Sequence, residues 1–150
     1  MSVDISGICE SVFVEISSDF KRKTIVGCVY RAPNNDMELF NDKFDVLLHK
    51  LNEAHAYCAI AGDYNINLLV NNVHTDTSAF VDNIFSQLFI PVISRPTRYS
   101  NNNSTLIDNI IVNSFSDNCT SGILLSDISD HLPIFHIHDG NVIANTRESV

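Results

Sequence analysis

The sequence predicts a layered fold in which α-helices pack on a β-sheet, the class described as α/β or α+β. Two segments near the beginning alternate apolar and polar residues, as half-buried strands do. The next segment has an apolar residue at every third or fourth position, as amphipathic helices do. Shorter apolar runs, separated by loops rich in Asn, Ser and Asp, follow in the second half. With 150 residues, of which 45% are hydrophobic, the chain is expected to form one domain.

The two alternating segments are predicted to pair as a hairpin. In residues 10–17 the aliphatic side chains share one face, whereas Phe13 lies on the other, and residues 24–30 repeat the alternation. The polar segment 17–23 between them is interpreted as a solvated turn.

Two amphipathic helices are predicted to follow. Asp36 is a good N-cap for the first, which is expected to end near Glu53. Its apolar stripe consists of Leu39, Phe40, Phe44, Leu47, Leu48 and Leu51. A short buried strand at 57–61 separates it from the second helix. The stripe of that helix consists of Phe80, Val81, Ile84, Phe85 and Leu88.

The rest of the chain is predicted to return to strands, at 106–112, 122–125 and 132–137. The apolar pattern fades from Asp139 onward, so residues 139–150 are predicted to be a flexible tail.

Composition argues against several classes of protein. The formal net charge of −9 disfavours a broad electrostatic grip on nucleic acid, because Lys and Arg contacts to phosphate supply most non-specific affinity. The four widely spaced cysteines, Cys9, Cys28, Cys58 and Cys119, are predicted to be reduced core thiols. No apolar run is long enough to cross a membrane and no secretory leader is recognisable, so an intracellular location, nuclear or cytoplasmic, is expected.

A first group of chemically capable residues lies at 62–65, where the sequence is Gly-Asp-Tyr-Asn. Gly62 permits a tight turn after the predicted strand, and Asp63 and Asn65 are two positions apart, so they project from one side. A carboxylate can orient water or bind Mg²⁺, and an amide can donate to a phosphate oxygen. The alternative is an ordinary polar turn from strand to loop.

A second group is Ser129-Asp130-His131, which precedes an apolar strand. An imidazole here can act as a general base or stabilise a phosphoryl group, provided that a carboxylate fixes its tautomer. Asp108, which is embedded in an apolar strand, is the candidate for that carboxylate. The alternative for Asp108 is an acid on an edge strand that faces water.

Tyr30 and Arg31 end the second predicted strand. Tyr30 can donate a hydrogen bond to a phosphate and Arg31 can pair with one. The alternative for Tyr30 is a half-exposed aromatic residue that serves packing.

Taken in order, four segments resemble the endonuclease/exonuclease/phosphatase superfamily, and in particular the endonuclease domain of non-LTR retrotransposons. These segments are VYRAP at 29–33, GDYN at 62–65, STLIDNI at 104–110 and SDHLPI at 129–134. The resemblance covers about residues 8 to 138. It implies a four-layer α/β sandwich with mixed, mostly antiparallel sheets and outer helices.

The resemblance also implies a role for each site residue in Mg²⁺- or Mn²⁺-dependent hydrolysis of DNA. Tyr30 and Asn65 would contact phosphate, with Arg31 as a further phosphate-binding candidate. Asp63 would position or activate the attacking water, and Asp130 would help to hold the metal. His131, oriented by Asp108, would stabilise the transition state or transfer a proton.

The resemblance further implies that part of the family's site is missing from this chain. An Asn and a metal-binding Glu are expected upstream of the first hairpin, so residues 1–138 are interpreted as the C-terminal portion of such a domain. The metal is then expected to be held weakly and activity to be low. A catalytically inactive remnant or interaction module, and a phosphatase of the same superfamily, are the alternatives. Exposed strand edges are expected to favour self-association.

Overall fold

A computed structural model of the protein describes residues 7–18, 21–100, 103–114 and 119–138. The predicted tail at 139–150 lies outside the described residues. The first two strands, β1 (Glu10–Ser18) and β2 (Lys21–Tyr30), form the predicted antiparallel hairpin, and both extend into the segment 17–23 that was interpreted as a turn. They are followed by helix α1 (Met37–Glu53), strand β3 (Tyr57–Asp63) and helix α2 (Thr75–Ser86).

The described residues of the second half contain six short strands. These are β4 (Ile90–Pro91), β5 (Arg98–Ser100), β6 (Asn103–Thr105), β7 (Asp108–Val112), β8 (Cys119–Ile123) and β9 (Ile134–His138). The order in the main sheet is β1-β2-β3-β7-β4, in which only the β2–β3 pair is parallel. Strands β5 and β6 form one separate hairpin, and β8 and β9 form another. The predicted class, mixed α and β with mostly antiparallel pairing, is confirmed.

The main core lies between the two helices and one face of the sheet. Helix α1 begins as predicted, because the Asp36 side chain accepts the N–H of Leu39 at 2.9 Å. The buried residues that form this core include Val29, Phe40, Phe44, Leu48, Ile60, Tyr64, Phe80, Ile84 and Ile111. The opposite face of the sheet carries a smaller cluster of Tyr57, Ile110 and Val112, against which Ile134 of β9 packs.

Three details of the predicted core are wrong, the first being Leu39 of the α1 stripe, which is 45% exposed. Helix α2 ends at Ser86, so Leu88 lies beyond it and is 77% exposed, and Phe85 is 51% exposed. Leu88 has a φ of 58°, which shows that the chain has already left the helix at this position. Cys28 is exposed because it faces away from the helices, whereas Cys9 and Cys58 are buried.

The aliphatic row of β1 is solvent-exposed in this structure. Val12, Val14 and Ile16 are 55–60% exposed, while Phe13 on the other face packs against the main core. The alternation predicted from the sequence is confirmed, and the self-association expected from exposed apolar strands stays a prediction. Within the described ranges, none of the helices has the length and apolar character that crossing a membrane requires.

Candidate active site

A row of polar residues lies at the same end of three neighbouring strands in the middle of the main sheet. Strand β2 ends at Tyr30, β3 ends at Asp63 and β7 begins at Asp108. The register pairs Tyr30 with Asp63 and Asp63 with Asp108. Paired residues of neighbouring strands project from the same face. The three side chains therefore lie side by side, on the face opposite α1 and α2.

The Asp63 carboxylate is held by a tight turn at the end of β3. Its Oδ1 accepts the backbone N–H of Asn65 at 3.0 Å, and Asn65 itself has a φ of 49°. Asn tolerates this left-handed conformation better than most residues do. The Asn65 Nδ2 donates to the Arg31 carbonyl oxygen at 2.8 Å, and the Arg31 N–H donates to the Asp63 carbonyl oxygen at 3.0 Å. The turn is thus fastened to the end of β2.

His131 and Asp108 are in direct contact. The His131 Nδ1 lies 3.1 Å from both carboxylate oxygens of Asp108. The Asp108 side chain is 15% exposed and that of His131 is 31% exposed, so solvent reaches the imidazole more readily than the acid. A carboxylate in this position favours the tautomer that carries its proton on Nδ1 and leaves Nε2 for a substrate. The contact expected from the family resemblance is present.

The loop that carries His131 is attached to the segment before β5. His131 forms an isolated bridge with Arg98, and the Leu132 N–H donates to the Thr97 carbonyl oxygen at 2.7 Å. Thr97 is fully buried, and its hydroxyl accepts the backbone N–H of Asp108 at 3.1 Å. Thr97 therefore positions both members of the His131–Asp108 pair.

Sequence reasoning missed Thr97. It follows Pro96 in a stretch that belongs to no helix or strand, so no periodic pattern marks it as buried. The available signal was its position immediately before Arg98, where a short strand begins. That signal is weak, because a Pro-Thr pair is common in exposed turns.

Two carboxylates and one imidazole meet at this end of the sheet. Ligand atoms of Asp63, Asp108 and His131 all lie within 4.8 Å of one another. Burial raises the pKa of Asp63, the N–H of Asn65 partly opposes this shift, and the neighbouring Asp108 adds to it. Such a cluster is suited to general acid–base chemistry or to a hard divalent cation.

Asp130 is adjacent in sequence but is not part of this three-residue cluster. Its Oδ2 accepts the Nε–H of Arg98 at 2.8 Å, and this hydrogen bond lowers the pKa of Asp130. The pair is about half exposed, with side-chain accessibilities of 41% for Arg98 and 45% for Asp130. The expected metal ligand is thus paired with a cation, which sequence reasoning did not foresee because 32 residues separate the two.

The side chain of Arg31 points away from the site. Arg31 follows Tyr30 directly, and the alternation of β2 turns its side chain toward the opposite face of the sheet. There it is 3% exposed, with the guanidinium 5.5 Å from the centre of the Phe40 ring and Nη1 donating to the Tyr64 carbonyl oxygen at 3.5 Å. The structure therefore places the Arg31 side chain in the core and not beside the Asp63 carboxylate. Tyr30, by contrast, is 43% exposed in the polar row.

The architecture matches that of solved endonucleases and of proteins of the endonuclease/exonuclease/phosphatase family. The chain superimposes on the endonuclease domain of TRAS1, a telomere-specific non-LTR retrotransposon, with a TM-score of 0.66 over 90% of its length at 13% identity. The chain has the endonuclease/exonuclease/phosphatase fold. A family protein of that name from Leptotrichia buccalis matches 88% of the chain with a TM-score of 0.58 at 17% identity. D. rerio TDP2, solved with a single-strand DNA product, matches 89% with a TM-score of 0.57 at 16% identity.

These neighbours are longer than the present chain. The chain spans 64% of the TRAS1 domain, 53% of the Leptotrichia protein and 62% of TDP2, which is less than two thirds in each case. No family model and no curated protein matches the sequence. At identities this low, structural similarity establishes the endonuclease/exonuclease/phosphatase fold, and function has to be argued from the site.

Proposed function

We propose that this chain hydrolyses phosphodiester bonds in DNA with the help of a divalent metal ion. The observation that carries the proposal is the meeting of Asp63, Asp108 and His131 at one end of the sheet, with Asp108 holding the His131 imidazole. This arrangement occurs on a fold shared with the endonuclease domain of a non-LTR retrotransposon. Fold and site chemistry thus favour the same reaction class.

In the proposed mechanism, Asp63 orients the attacking water and accepts its proton. Burial raises the pKa of Asp63, and a more basic carboxylate is a better proton acceptor. His131, held through Nδ1 by Asp108, uses Nε2 to stabilise charge on the phosphoryl oxygens or to protonate the leaving oxygen. Tyr30 and the second amide hydrogen of Asn65 donate to the phosphate.

The donor set fits Mg²⁺ or Mn²⁺ in part. The carboxylate oxygens at this end of the sheet are of the kind that these hard cations prefer, and a cation beside them would relieve the repulsion between Asp63 and Asp108. Asp130 would join as a ligand once Arg98 releases it. Bound metal would neutralise developing charge on the phosphate and lower the pKa of a bound water. With so few carboxylates, we propose that the metal is held weakly and that turnover is slow.

Any DNA contact has to be local. The chain carries nine Lys and Arg residues against eighteen Asp and Glu, so most of its surface repels a polyanion. Arg98, which is part-exposed beside His131, is placed to offset some of this repulsion at the site. The same charge balance favours the second candidate function, hydrolysis of a small phosphate ester that needs no extended basic surface.

The test is nicking of supercoiled plasmid by the purified 150-residue chain in Mg²⁺, with EDTA as the metal-free reference. Asp63→Asn and His131→Gln are expected to reduce nicking by about 100-fold or more, the scale of a lost general acid or base. Asp127→Asn and His49→Gln, at exposed positions outside the cluster, are matched controls that are expected to nick at the wild-type rate. Equal nicking by all five proteins would overturn the site assignment.

Hydrolysis of bis(p-nitrophenyl) phosphate and of p-nitrophenyl phosphate distinguishes the candidates. Activity on the monoester alone, lost in Asp63→Asn, would support a phosphatase in place of a DNA endonuclease. A folded chain that is inactive in all three assays would support the non-catalytic interaction module.

A further inference from the structure

A second cluster of metal-ligating side chains lies on the β8–β9 hairpin, away from the carboxylates. The register pairs Cys119 with His138 and Ser121 with His136. Residues two apart on a strand share a face, so these four side chains project from one side of the hairpin. The cysteine and the two histidines are all partly buried.

The ligand atoms of this cluster already lie close to a coordinating arrangement. The Cys119 Sγ is 3.1 Å from the His138 Nδ1, and the ligand atoms of Cys119, His136 and His138 all lie within 4.8 Å of one another. In a tetrahedral zinc site, bond lengths of about 2.0 to 2.3 Å place neighbouring ligand atoms about 3.3–3.6 Å apart. Side-chain adjustments suffice to reach that geometry, and the backbone register can stay as it is.

Tyr57 of β3 orients both imidazoles. Its hydroxyl lies 2.6 Å from the His136 Nε2, and its ring stacks on that of His138 with centroids 3.7 Å apart and an interplanar angle of 6°. Histidines that bind metal usually engage their second ring nitrogen in a hydrogen bond of this kind. His136 is therefore oriented to coordinate through Nδ1, which now lies 2.7 Å from the Ser121 hydroxyl.

We propose that Cys119 Sγ, His136 Nδ1 and His138 Nδ1 bind a transition-metal ion of the Zn²⁺ class. One thiolate and two imidazoles are ligands for borderline metals and are poor ligands for Mg²⁺. On binding, the Cys119 thiol releases its proton to solvent, the metal takes the lone pair of each imidazole, and the Ser121 hydroxyl turns away from His136. Water completes the fourth position.

This site is separate from the proposed catalytic cluster. Tyr57 is the first residue of β3 and Asp63 is the last, so their separation along the strand is about 20 Å at 3.3 Å per residue. A metal held by the hairpin and packed on Tyr57 would fix β9 against the main sheet at the end far from His131. The inference does not depend on the chain being a nuclease.

Titration with Co²⁺, which substitutes for Zn²⁺ and has visible d–d bands, tests the proposal. The wild-type chain is expected to bind one Co²⁺ and to show d–d bands together with a thiolate-to-cobalt charge-transfer band. One equivalent of Zn²⁺ should abolish both kinds of band, whereas excess Mg²⁺ should leave them unchanged. Cys119→Ser is expected to lose the charge-transfer band, whereas the matched control Cys28→Ser, which alters an exposed cysteine of β2, should keep it.

Two further measurements keep the test decisive if Cys119→Ser fails to fold. X-ray absorption of the wild-type zinc complex should show one sulfur and two imidazole nitrogens at the metal. Tyr57→Phe, which removes the hydroxyl beside His136, should weaken Co²⁺ binding by about 10- to 100-fold without removing the charge-transfer band. The absence of a thiolate band in the wild-type chain, or its survival in a folded Cys119→Ser protein, would overturn the proposal.

Discussion

Replacement of Gly62 by alanine tests how closely β3 must approach β2 to form the candidate active site. A Cβ built at Gly62 would lie 2.3 Å from the Val29 carbonyl oxygen and 3.3 Å from the ring of the buried Tyr64. Ordinary van der Waals contact begins at 3.4 Å, so the two strands would have to separate locally by about 1 Å. The obstructing atom belongs to the backbone of a paired strand and has no rotamer in which to avoid the methyl group.

The expected loss of stability follows from this displacement. Overpacking of this kind costs about 1–3 kcal/mol. A 1 Å separation would also break the hydrogen bond from the Arg31 N–H to the Asp63 carbonyl oxygen, now 3.0 Å, at a further cost of about 1 kcal/mol. We therefore expect Gly62→Ala to lower the free energy of unfolding by about 2–4 kcal/mol.

Urea unfolding followed by far-ultraviolet circular dichroism measures this loss, since the chain has no tryptophan. Gly27→Ala in β2 is the matched control. Its new Cβ would also meet an atom at 2.3 Å, but that atom belongs to the Phe13 ring on the edge strand, which can rotate. We expect a loss of about 1 kcal/mol or less for the control. If Gly62→Ala costs no more than Gly27→Ala, the reasoning from backbone contact is wrong.

Two further predictions concern residues around the site. Thr97→Val keeps the side-chain volume but removes the hydroxyl that accepts the Asp108 N–H. It should lower the free energy of unfolding, measured with urea, by about 1–3 kcal/mol. An unchanged urea midpoint would show that this buried hydrogen bond is dispensable. Asp63→Asn should raise the melting temperature at neutral pH, because burial raises the pKa of Asp63 and the ionised carboxylate therefore destabilises the folded state. The melting-temperature difference between Asp63→Asn and wild type should vanish in acid, where the carboxyl of the wild type is protonated. It should grow as the pH rises from the usual pKa range of aspartate through the raised pKa of Asp63. A variant that melts below the wild type at neutral pH would contradict this prediction.

Local sequence signals were sufficient for the elements with strong periodicity. The spacing of apolar residues and the Asp36 cap predicted α1 within one residue of its observed ends, because both signals act within one or two helical turns. The alternation in β1 predicted that Phe13 and the aliphatic row lie on opposite faces, but not that Phe13, on the face with fewer apolar residues, packs against the main core. The end of α2 was missed because Phe85 and Leu88 continue the apolar stripe although no tertiary contact buries them.

The candidate site was predictable only where residues are adjacent in sequence or belong to a recognisable motif. The four motifs that carry the resemblance contain Asp63, Asp108 and His131, and the structure brings these three together. The same motifs contain Arg31, which was expected to bind phosphate, and Asp130, which was expected to help hold the metal, and the structure gives both side chains other partners. Arg31 packs under Phe40, and Asp130 binds Arg98. The roles of all these residues in catalysis stay predictions.

The sequence by itself determined the class of fold, the first helix and hairpin, and the set of residues capable of phosphodiester chemistry, because these depend on short-range patterns and on residue type. Only the tertiary structure decided which of these residues meet. The pairing of Tyr30, Asp63 and Asp108 depends on the register of three strands that are far apart in sequence, and a shift of one residue would move each side chain to the other face. The buried Thr97 and the Cys119–His136–His138 cluster depend on the same long-range register, which no local pattern encodes.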